Sequence, residues 1–137
     1  MRKSGALVLA LVGLAATAQA TKTRIRPPPP AAQLVIDAVT RAARERDFVG
    51  LRQAMSDPFT NGLGWPISAD AAVAAWRAKP ELLDLLSSIL QRCQAESAQR
   101  VGCPPVMKLL GPEPEPEPSA RFERRGKAWR LVAFEHR

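Results

Sequence analysis

Few side chains in this sequence can do chemistry, and their types and spacing narrow what that chemistry could be. Cys93 and Cys103 stand ten positions apart, on either side of a polar turn at residues 94–100, so the chain can double back and let the two sulfurs meet. A redox-active pair would show a C-x-x-C spacing at a helix start, whereas here the first cysteine closes a helical pattern. The pair therefore reads as a structural disulfide. His136 is the single histidine, one residue from the end, and is expected to be a solvated tail residue. Without a second histidine the chain has no source for a serine–histidine pair in its body or for a histidine-based zinc cluster. It also has no G-x-S-x-G, no phosphate-cradling glycine loop and no dinucleotide fingerprint, so no metal and no cofactor is expected.

Carboxylates are left as the acid or base groups, and most have a structural role in prospect. Asp47 is placed to cap a helix, Asp70, Glu81 and Asp84 to sit in first turns, and Asp37 to pair with Arg41 along an outer face. Asp57, before Pro58-Phe59 at a turn, is the least explained and stands as a weak catalytic candidate. Basic side chains form the other candidate site: Arg121, Arg124, Arg125, Lys127 and Arg130 crowd one turn near Phe122 and Trp129. Arginines interleaved with rings suit an anionic ligand, and the same charges also keep an exposed sheet edge unpaired.

The elements that must position these groups follow from periodicity. Residues 31–46 place Leu34, Val35, Ala38, Val39, Ala42 and Ala43 on one helical side, and Asp47 opens a shorter helix with Phe48, Leu51 and Met55 that stops at Ser56-Asp57-Pro58. Residues 59–67 read as an irregular loop with room for a short strand. Ser68 caps a helix carrying Ala72, Val73 and Trp76, and Lys79, restricted by the following proline, marks a break. Pro80 then fits the first position of the strongest helix, where Leu82, Leu86, Ile89 and Cys93 recur at steps of three and four, widened by Leu83 and Leu90. Residues 107–110 read as extended, and 112–118 alternate proline with Glu113, Glu115 and Glu117 as a stiff surface loop. Residues 120–124 and 127–135, joined at Arg125-Gly126, are a hairpin in which one face covers the helices. The expected class is α+β: N-terminal helices and a central helix pair on a small antiparallel sheet ending in a C-terminal hairpin.

Composition sets the compartment. Arg2 and Lys3, an uncharged apolar run at residues 6–16 and Ala18-Gln19-Ala20 read as a cleavable secretory signal over residues 1–20. The apolar run is about eleven residues, short of the roughly 20 that span a bilayer, so no transmembrane segment is expected after cleavage. A basic, proline-rich tether at 21–30 precedes a single domain at 31–137, periplasmic or secreted, where two thiols pair. Formal net charge is +7, and removal of the signal leaves 18 basic against 13 acidic side chains. That surplus suits anionic envelope surfaces and, outside the cytosol, does not imply nucleic acid.

Ala43-Arg44-Glu45-Arg46-Asp47-Phe48, with Leu51, Met55 and Pro58-Phe59, resembles the opening helices of nuclear transport factor two-like domains, the cone-shaped α+β superfamily that includes ketosteroid isomerase. Residues 125–134 are similar to that superfamily's final strands. Residues 76–82 and 103–105 also resemble small exported bacterial proteins of unknown function. The resemblance implies a cone-shaped scaffold. An isomerase-type site would add a general-base carboxylate and, most often, a tyrosine, and this chain contains no tyrosine. Three functions follow as expectations. The first is a non-enzymatic exported domain binding a partner protein, an envelope component or a small apolar ligand. The second is a small enzyme using Asp57 and an apolar pocket near Trp65 and Trp76. The third is an anionic-surface binder using the basic hairpin.

Overall fold

The computed structural model describes residues 26–105 and 117–137. Helix α1 (Pro30–Glu45) starts on a proline, whose missing N–H costs nothing there, and buries Ala32, Ile36, Val39, Ala42 and Ala43. The expected face is rotated: Leu34, 72% exposed, and Ala38 face solvent, because the buried stripe runs through positions 32, 36, 39 and 43 at steps of three and four. It stops at Arg46, which takes a left-handed φ of 57°. Asp47 caps α2 (Phe48–Ala54) by accepting a hydrogen bond from Gly50 N at 2.9 Å. A Cβ at position 50 would lie 2.5 Å from Asp47 Oδ2, so a larger residue there would make the capping carboxylate shift. After the strands β1 (Met55–Gly62) and β2 (Trp65–Ile67), Ser68 Oγ accepts from Ala71 N and caps α3 (Ala69–Ala78). Helix α4 (Glu81–Ile89) buries Leu82, Leu83, Leu86 and Ile89. Four strands complete the chain: β3 (Gln94–Ser97), β4 (Arg100–Cys103), β5 (Ser119–Arg125) and β6 (Ala128–Glu135).

The strands form one six-stranded sheet in the order β2-β1-β6-β5-β4-β3. Neighbours are antiparallel except β1 and β6, which run parallel. The fold is α+β as expected, with N-terminal helices, a helix pair and a C-terminal hairpin. The helices cover one sheet face and share a core with Phe59, Val101, Phe122, Leu131 and Phe134. Cys93 and Cys103 are disulfide-bonded, which ties the segment after α4 to the end of β4.

Several local expectations change. Residues 59–67 are not an irregular loop: β1 runs from Met55 across Pro58, and Phe59, 1% exposed, gains its burial through the sheet. Met55 both closes α2, its N–H donating to Arg52 O, and opens this strand, where it stands opposite Leu131 of β6. Residues 94–100 are not a polar turn but most of a β3–β4 hairpin, disguised because β3 is an edge strand with no apolar side to display. Helix α4 ends at Ile89 with Pro80 as its cap, so Cys93 lies beyond the helix. Asp37 accepts from Gln33 Nε2 at 2.8 Å and not from Arg41. Arg26, within the expected tether, has its carbonyl bonded to Ala95 N on β3. The leader, the extended segment at 107–110 and Glu113 and Glu115 lie outside the described residues.

Candidate functional site

The interior beneath the sheet is occupied by rings. Trp76 on α3 is fully buried, meeting Phe59 edge-on at a centroid distance of 5.6 Å and Phe134 at 5.9 Å. Its indole Nε1–H donates to Asn61 Oδ1 at 3.2 Å, which satisfies the one polar group that this side chain carries inward. His136 closes the same corner: its backbone N–H donates to Gly62 O, its ring packs 4.7 Å from Phe134, and Nε2 lies 3.3 Å from Asn61 Oδ1. The expected solvated tail residue is therefore half-buried, because the parallel β1–β6 pairing draws the chain end onto Gly62. Burial pushes the imidazole pKa below its ordinary value of 6.5; the hydrogen bond with the Arg137 backbone opposes this, and the charge of Lys79 reinforces it.

Trp65 does not join this cluster as a pocket wall. It stands 72% exposed on edge strand β2, while Trp76 is fully buried in the core. Asp57 is engaged twice: Oδ1 accepts from Ala69 N at 3.2 Å and Oδ2 lies 3.5 Å from Arg52 Nη2. It fastens β1 to the start of α3, where a carboxylate also complements the helix dipole.

The five basic candidates separate by strand geometry. Successive side chains on a strand point to opposite faces. Phe122 faces the core, so Arg124 shares its side, opposite Trp129 in the register. Arg121, Glu123 and Arg125 point to the face that the helices leave open, and Arg130, paired with Glu123, joins them there. Lys127 lies in the exposed turn between β5 and β6. A bulge between Arg121 and Phe122 shifts the phase of β6, which is why Leu131 and Phe134 both reach the core while Ala133 sits opposite Arg121.

Two arginines that the sequence did not single out belong to this region. Arg100 on β4 is directly opposite Glu123, and only recognition of the β3–β4 hairpin, through Val101 and Cys103 alternating with Arg100 and Gly102, could have placed it. Arg52 on α2 lines a concavity of about 460 Å³ together with Gln53, Met55, Ser56, Asp57, Arg125 and Arg130. Internal acceptors orient these guanidiniums. Arg52 Nε donates to Asp70 Oδ1 at 2.8 Å, Arg130 Nη1 to Gln53 O, and Arg125 Nε and Nη2 to Glu123 Oε2 at 3.2 and 3.0 Å. A second, larger concavity between α1 and the segment after α4 mixes Asp37 and Glu45 with Arg41 and Arg44 and has no dominant charge. Among the described residues no three histidine, cysteine, aspartate or glutamate side chains are grouped to hold a metal, and no helix is long and apolar enough to cross a membrane.

No protein-family model matches this chain, and no curated protein matches it. Two solved structures are similar to it. One is a protein from Thiobacillus denitrificans ATCC 25259 described as a calcium/calmodulin-dependent protein kinase type II association domain. It is 17% identical, with a TM-score of 0.46, over 82% of this chain and 96% of that one. The other is an NTF-2-like protein of unknown function from Shewanella oneidensis MR-1. It is 13% identical, again with a TM-score of 0.46, over 75% of this chain and 93% of that one. At these values neither likeness bears on the activity, which has to be read from this chain's own residues.

Proposed function

We propose that this chain is an exported, non-enzymatic binding domain on a nuclear transport factor two-like scaffold, and that it engages a partner protein or another envelope component through its exterior. The observation that carries this reading is the filled interior. Trp76, Phe59 and Phe134 occupy the space beneath the sheet, and Asn61 and His136 close its polar corner. An enzyme of the second kind expected from the sequence needs room for a substrate beside an ionisable group. Asp57, its weak candidate, is taken up by Ala69 N and Arg52. The same filling favours a partner outside over a small apolar ligand inside. Residues 1–20 would act as the cleaved signal, and the Cys93–Cys103 disulfide is consistent with an oxidising, extracytoplasmic compartment.

The test is purification of the tagged full chain from its native envelope without reductant, followed by mass spectrometry of what accompanies it. A stoichiometric protein or envelope polymer is expected. A small molecule that the wild type turns over and Asp57→Asn does not would replace this reading with the carboxylate enzyme.

A further inference from the structure

The register sets Arg100, Glu123 and Arg130 side by side across β4, β5 and β6, with Arg121 and Arg125 two residues either way from Glu123 on the same open face. One carboxylate thus serves three guanidiniums. Arg125 Nη2 is 3.0 Å from Oε2, while Arg100 Nη2 and Arg121 Nε each lie 3.5 Å from Oε1. Only Arg125 makes hydrogen bonds with Glu123, and Nε of Arg121 is buried with no acceptor. These arginine side chains are partly exposed, so their other N–H donors face water, but three like charges share one carboxylate and the face keeps an excess of positive charge. Carboxylates arriving from outside would neutralise that excess.

We infer that the open face of β4–β6 is a docking surface for an acidic segment of a partner protein, with Arg100, Arg121, Arg125 and Arg130 as its anchors. This deepens the proposed binding function and rests on it. The cations are spread over three strands, about 10 Å from β4 to β6, which suits several singly charged carboxylates in a row better than one compact phosphate dianion. Internal carboxylates set where the acidic groups can land. Glu123 stands at the centre, and Glu96 lies over Gly102, where a Cβ would come within 2.0 Å of its Oε1.

The probe is a fluorescein-labelled hexaglutamate peptide, titrated with the full chain by anisotropy. Binding is expected and should weaken as salt is raised. Arg100→Gln/Arg125→Gln removes two exposed anchors and should weaken it by roughly tenfold or more. Arg124→Gln/Lys127→Gln removes as much charge from the other face and the turn tip and should leave affinity within about twofold. Glu123→Gln removes the internal competitor and should tighten binding several-fold, an outcome that damage to the fold cannot produce. Equal losses in the two double variants, or weaker binding by Glu123→Gln, overturn the proposal. So does tighter, equally variant-sensitive binding to phosphatidylglycerol vesicles, which would make the face a membrane contact. If the protein retained from the envelope is held equally by Arg100→Gln/Arg125→Gln, the docking surface fails while the binding function stands. If no envelope component is retained although hexaglutamate binds as described, the function fails while the chemistry of the surface stands.

Discussion

At the scale of single residues, Trp76 and His136 have the largest consequences. Trp76 contributes the bulk of the interior and meets two rings, so Trp76→Ala should destabilise the protein by about 3–5 kcal/mol, read from the urea midpoint. Trp76→Phe should cost less than that, because it keeps a ring but leaves Asn61 Oδ1 without its indole donor. His136 sets a pH dependence. Its pKa in the fold lies below the unfolded 6.5, so as pH falls through 6.5 the unfolded chain takes up a proton that the folded chain resists. Stability should therefore fall from about pH 7.5 to about pH 5.5, and His136→Gln should show a shallower fall. Equal slopes in the two proteins would mean that burial at the chain end has no energetic effect. This role of His136 was not visible beforehand, since nothing local distinguishes a half-buried histidine near the chain end from a solvated one; its contact with Asn61 spans 75 residues.

At the scale of elements, the helices were legible and the edge strands were not. Helix periodicity survives in the sequence because each helix buries one stripe of its own residues, as Leu82, Leu86 and Ile89 do. Edge strand β3 carries no such stripe, its residues being at most half-buried, and the interior strand β1 was hidden for another reason, a proline that argues against a strand. Helix α3 is held at its start by two acceptors, Ser68 Oγ for Ala71 N and Asp57 Oδ1 for Ala69 N. Ser68→Ala should cost about 1 kcal/mol in a thermal or urea melt, within the range of about 0.5–2 for such caps. A melt unchanged by the substitution would mean that Asp57 alone suffices.

At the scale of the whole molecule, the disulfide ties the chain leaving α4 to the end of β4 and closes the base of the β3–β4 hairpin. Closing so short a loop stabilises by about 2–3 kcal/mol in the chain-entropy model. The Cys93→Ser/Cys103→Ser variant should accordingly melt roughly 10 °C lower, and reduction of the wild type should reproduce the shift. Charge is arranged on the same scale. Surface pairs such as Arg46–Asp84 and Arg52–Asp70 lace the helices together, and the cations of β4–β6 remain in excess around Glu123.

By itself the sequence determined the α+β class, the buried face of α4, the C-terminal hairpin and the cysteine partnership, because each depends on contacts between residues near one another or on composition; the face of α1 it placed one step off, at Leu34 and Ala38 instead of Ala32 and Ile36. Tertiary structure alone decided the rest. The parallel β1–β6 pairing filled the interior with Trp76 and Phe134 and drew His136 inward. Strand alternation in the paired sheet divided one basic cluster between two faces, the β3–β4 hairpin set Arg100 beside it, and the packing of α2 brought Arg52 to Arg125 and Arg130. These outcomes depend on register, and a shift of one residue exchanges the faces of a strand, so no count of charges along the chain could have fixed them.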